Sequence, residues 1–155
     1  MKALPGFALV AASLLSCNPN TAQKESAPTS KAITGTWQLI KSTIIEKGDT
    51  TSTDYTKNKK ISFVKIINDT HFSFLQHDVN KGKDSAVFVA GGGRYSLTGS
   101  AYTEHLEYCS ARDWENNDFT FTVAIKNDTL VQRGIEKVEA SGINRINIEQ
   151  YARVK

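Results

Sequence analysis

From residue 35 onward, apolar and polar side chains alternate with a period of two, the spacing of strands that bury one face. Runs of this kind cover residues 35–45, 60–67, 70–77, 85–90, 94–97, 102–109, 119–125, 129–136 and 145–154. Helical periodicity is nearly absent, and the segment 111–116 reads as a loop or a single helical turn. Asn68-Asp69 and Asn127-Asp128 each stand between two strand-like runs; both residue types tolerate φ > 0, so each pair reads as a tight hairpin turn. Short sequential strands joined by hairpins describe an up-and-down meander. A meander that long closes on itself, because closure removes unpaired edges. The expected fold is all-β, a single antiparallel up-and-down barrel of about eight to ten strands, whose interior is filled by side chains or holds one small ligand.

Alternation also assigns the interior. In the run 102–109, Tyr102, Glu104, Leu106 and Tyr108 share the more apolar face and should point inward. The same reasoning turns Phe72, Phe74, Phe119, Phe121 and Val123 inward, and a barrel would set Tyr95 beside Tyr102. A buried Glu104 needs a partner, for which Arg94, Arg133 and Arg153 are the candidates. Phe72, Phe74, Tyr95, Tyr102, Glu104, Leu106, Tyr108 and Phe121 therefore form the expected ligand-binding wall: aromatic surface with one ionisable group. In the last run, alternation alone would bury Ile146, Ile148 and Val154.

Sites for chemistry are sparse. Gly91-Gly92-Gly93 lacks the Lys-Ser/Thr and the following helix of a phosphate loop, and suits a bulge or sharp bend in the sheet. There is no Gly-x-Ser-x-Gly elbow. His71 and His77 would face one side of a strand but stand roughly 20 Å apart. His105 could join only one of them, so no metal, cofactor or catalytic residue is expected.

The first residues carry a different signal. Lys2, the apolar run Phe7-Ala8-Leu9-Val10-Ala11-Ala12 and then Leu14-Leu15-Ser16-Cys17 resemble a bacterial lipoprotein signal, in which the cysteine is acylated and becomes the mature N-terminus. Residues 1–16 would be the signal peptide, 17–32 the lipidated N-terminus with a flexible tether, and 33–155 the folded domain. The apolar run is too short for a transmembrane helix, which needs about 20 apolar residues. The expected address is the bacterial cell envelope, lipid-anchored through Cys17, with the membrane as first partner. A tether of this composition holds the domain roughly 20 Å from the bilayer. With Cys17 acylated, Cys109 has no disulfide partner and reads as a small buried hydrophobe. The net charge of +3 supplies no electrostatic argument for nucleic acid.

Gly35-Thr36-Trp37 opens the first run, and Glu149-Gln150-Tyr151-Ala152-Arg153-Val154 closes the last. This pairing resembles the lipocalin and calycin barrels, where a tryptophan plugs one end and an arginine packs over it. Thr70-His71-Phe72-Ser73-Phe74, Gly92-Gly93-Arg94-Tyr95 and 102–108 resemble, more particularly, small exported lipocalin-like proteins of Bacteroidetes. The resemblance implies that Gly35, Trp37 and Arg153 close one barrel end, and that Glu149, Tyr151 and Arg153 turn toward Trp37. It implies a binding protein that holds a small, partly apolar ligand. The alternative is an envelope interaction protein with a filled barrel, and interior volume separates the two; a small-molecule enzyme, the less favoured third reading, would need a histidine and a carboxylate converging inside the barrel.

Overall fold

The computed structural model describes residues 28–155. A short helix α1 (Ser30–Ile33) precedes nine strands: β1 (Gly35–Glu46), β2 (Asp49–Asp54), β3 (Ile61–Ile67), β4 (His71–Asp78), β5 (Phe88–Thr98), β6 (Ala101–Cys109), β7 (Asn117–Lys126), β8 (Thr129–Val138) and β9 (Ile143–Arg153). Each strand from β3 to β9 pairs antiparallel with the next, and β9 returns to β1, from Trp37 opposite Arg153 to Ile45 opposite Ile146. On its other side β1 meets two strands. Gly35–Gln38 pair with β3, and the later half, from Lys41 to Glu46, pairs with β2. Eight strands thus close the barrel, and β2 is an extra strand laid against it.

Two elements depart from the sequence reading. Strand β2 is Asp-Thr-Thr-Ser-Thr-Asp, too polar to show a buried face, and its short acidic edge discourages further pairing. It exists because Lys47 and Gly48, both at positive φ, turn the chain back on β1. The runs 85–90 and 94–97 are one strand, β5, which passes straight through the three glycines. Neighbours occupy the missing side-chain space: a Cβ on Gly92 would stand 2.6 Å from the Phe72 carbonyl oxygen, and one on Gly93 2.8 Å from the Glu107 nitrogen.

The irregularities lie in the partners. Gly92 faces Tyr108 while Gly93 faces Leu106, which leaves Glu107 as an extra residue bulged out of β6. Alternation therefore flips after Leu106. Tyr108, expected inside, is 69% exposed, and Cys109 takes the inward position. Strand β1 does the same at Ile40, between Leu39 opposite Tyr151 and Lys41 opposite Gln150. Trp37 and Leu39 point inward before that bulge; Ser42 and Ile44 do so after it.

One end of the barrel is plugged. Ile33 and Trp37 are fully buried there, and the Trp37 indole donates to the Ile33 carbonyl at 2.8 Å. The Arg153 guanidinium lies 4.0 Å above the indole centroid and donates to the carbonyls of Thr34 and Ala32 at 2.7 and 2.6 Å. The chain before β1 is thereby tied to the last strand, and α1 falls largely inside the stretch read as tether. Ile33, Ile67, Val123 and Leu130 pack this half solid, each contributing about 1.5–3 kcal/mol of burial.

Candidate functional site

The other half of the barrel is not filled. A cavity of about 410 Å³ extends from mid-barrel toward the end opposite Trp37. Its walls are Phe63, Phe74, Leu106, Phe119 and Phe121, with Trp114 and Tyr55 from the loops. Phe63 and Phe74 stack at 5.8 Å between centroids, and Trp114 leans on Phe119 at 5.6 Å.

Its floor is a polar network built where apolar strands place a charge inward. In β3, Lys65 shares the inward phase of Phe63 and Ile67 and is 2% exposed. Its ammonium donates to Glu104 at 2.6 Å and to the Gln132 side-chain oxygen at 3.0 Å. Four rings surround it, Phe72, Tyr102, Phe121 and Tyr151, with centroids 5.5–6.0 Å from Nζ. Gln132 passes the network on by donating to Glu149 at 2.7 Å, and the Tyr151 hydroxyl donates to the same carboxylate oxygen at 2.7 Å. Nearer the mouth, Glu136 accepts from Arg145 and from the Asn147 amide, each at 2.7 Å. Arg145 also rests against the Trp114 ring, 5.4 Å from its centroid.

Burial dominates the electrostatics. It pushes the Glu104 carboxyl above its usual range even though Lys65 opposes the shift, and it raises the phenols of Tyr102 and Tyr151 well above theirs. The Tyr102 hydroxyl lies near Glu104 but has no partner at hydrogen-bonding geometry.

Of the expected ligand-binding residues, Phe74, Glu104, Leu106 and Phe121 line this cavity. Phe72 and Tyr102 lie in the packed core beneath it. Tyr95 packs on Tyr102 at 5.2 Å and donates to the Asn68 carbonyl, away from the space. Tyr108 is on the outer surface. The partner of Glu104 is Lys65; none of the three arginines proposed from sequence reaches it. Arg94 instead meets Glu107 on the outside, and Arg153 serves the plug. In β9, Asn147 and Tyr151 are buried while Ile146 and Ile148 face outward, against the apolar alternation of that strand. Cys17 lies outside the described residues.

Sequence reasoning missed Lys65, Gln132, Glu136, Arg145 and Asn147. Alternation carried the signal for Gln132 and Glu136, which share the phase of Leu130 and Val138 in β8. Among the described residues no group of three or more His, Cys, Asp or Glu side chains is arranged to hold a metal ion. His71 hydrogen-bonds Thr70 and His105 meets Asp118, both at exposed positions. No protein-family model, curated protein or solved structure matches this chain.

Proposed function

We propose that the chain is a lipocalin-like binding protein, anchored to the bacterial envelope by lipid on Cys17, which holds a small, partly apolar ligand in the barrel. The observation that carries this reading is the half-filled interior: about 410 Å³ of aromatic-walled space with a fixed polar floor. Such a volume falls in the range of small-molecule pockets, whereas a purely structural barrel gains stability by filling its core. The floor adds selectivity, because its polar groups are held by one another before any ligand arrives.

Titration of the full chain with the neutral fluorescent amine N-phenyl-1-naphthylamine tests the reading. Saturable binding is expected, and Ser42→Trp, which puts an indole into the space, should weaken it at least about tenfold. Binding that is absent, or that Ser42→Trp leaves unchanged in a folded protein, contradicts the proposal. For the anchor, Cys17→Ala should abolish incorporation of labelled fatty acid and release the protein from the membrane fraction. Unchanged membrane association, with no label in the wild type, would contradict the address.

A further inference from the structure

We propose that the cavity selects a ligand with an ammonium head on an apolar body; this rests on the cavity being a ligand site. Three carboxylates line it, Glu104, Glu136 and Glu149, against two cations, Lys65 and Arg145. Lys65 is engaged by Glu104 at 2.6 Å and Arg145 by Glu136 at 2.7 Å. Among the described residues Glu149 has no cationic partner. Its hydrogen bonds from Gln132 and Tyr151 both fall on Oε2, and among the described residues Oε1 receives none.

A second acceptor stands two residues away on the same face of β9. Asn147 is 5% exposed and lines the cavity, and its side-chain oxygen has no donor. The orientation of that amide follows from its neighbour, since its nitrogen faces the Glu136 carboxylate at 2.7 Å and an oxygen there would be repelled. An orphan acceptor this deeply buried costs stability until a donor reaches it.

Each cationic or amide donor of the floor already has an acceptor, and the unpartnered Tyr102 hydroxyl lies in the packed core beneath the cavity. Lys65 gives to Glu104 and Gln132, the Gln132 amide to Glu149, the Asn147 amide to Glu136, and Tyr151 to Glu149. The open acceptors, and a carboxylate without a counter-charge, favour a ligand head that brings donors and positive charge. An ammonium supplies both, to Glu149 Oε1 and Asn147 Oδ1, and the Phe63 ring in the cavity wall adds an aromatic surface. An anionic head would be repelled by Glu149, and both cations of the cavity, Lys65 and Arg145, are already engaged by carboxylates. The apolar body lies along Phe119 and Leu106.

Calorimetric titration of the full chain at pH 7 with three probes of one body decides this: 4-phenylbutylamine, 4-phenylbutan-1-ol and 4-phenylbutanoate. The amine should bind at least about tenfold more tightly than the alcohol, the scale of one charge-assisted hydrogen bond, and the acid more weakly than the alcohol. Glu149→Gln should narrow the amine-to-alcohol ratio to within about threefold, and Asn147→Leu should narrow it in the same direction. If the alcohol or the acid binds as well as the amine, head-group selection is overturned while the cavity stands as a ligand site. An amine preference that survives both substitutions overturns the roles given to Glu149 and Asn147. If none of the three probes binds, the ligand-site reading falls and this inference falls with it.

Discussion

Lys65 holds its ammonium 2.6 Å from the Glu104 carboxylate across 39 residues of sequence, with both side chains buried. Such a pair costs more to break than to replace, because removing one partner strands the other charge in the interior. Lys65→Met should destabilise the protein by about 3–5 kcal/mol in urea unfolding. The double variant Lys65→Met/Glu104→Leu should recover a large part of that loss. Equal destabilisation in the single and double variants would mean the pair is not the source of the cost.

The same pair gives a pH dependence of definite sign. Burial raises the folded-state pKa of Glu104 above its ordinary value of 4.5, with Lys65 opposing and Glu149 adding to the rise. The folded state then holds this proton more tightly than the unfolded chain. The contribution is fully present below about 4.5 and is lost as pH rises through the raised value. Wild-type stability measured relative to Glu104→Gln should therefore fall across that window and level off above it. A relative stability that climbs with pH would contradict the burial argument.

At the plugged end, Arg153 stacks on Trp37 and donates two hydrogen bonds to the chain before β1. Arg153→Ala should lower unfolding stability by roughly 1–3 kcal/mol, through lost stacking and lost cover. A double-mutant cycle with Trp37→Phe should show a coupling energy of at least about 0.5 kcal/mol. Additive effects would mean that stacking contributes nothing and that the arginine acts only through its carbonyl contacts.

Gly93 faces the bulge at Glu107, and a Cβ there runs into the His105 carbonyl oxygen, which belongs to the backbone and cannot step aside as a side chain could. Gly93→Ala should cost roughly 1–3 kcal/mol or more. Tyr108→Ser, one pair along but on the exposed surface, should change stability by less than about 0.5 kcal/mol. Thermal unfolding of the two variants checks the contrast, and equal effects would contradict the bulge.

The barrel was legible because one-sided burial imprints a period of two on most of its strands. What alternation could not show are the two places where it changes phase. The bulges at Ile40 and Glu107 swap inside for outside within a strand, so strict alternation puts Tyr108 in the wall where the structure has Cys109. Strand β2 left no trace, since neither of its faces is buried. Glu104 was legible as an inward carboxylate, but its partner was not. Lys65 sits in a mostly apolar run, and only register places it across the barrel from Glu104. The contact of Trp37 with Arg153 was suggested by resemblance alone, since alternation in β9 pointed to the isoleucines.

Chemical-shift mapping of the isotope-labelled full chain with 4-phenylbutan-1-ol asks where on the barrel a small apolar molecule goes. Saturable shifts are expected at Phe63, Phe74, Leu106, Phe119 and Asn147, with the Trp37 end unmoved. Shifts confined to the outer surface, or none at concentrations where the protein stays folded, would mean that the barrel interior is not a ligand site.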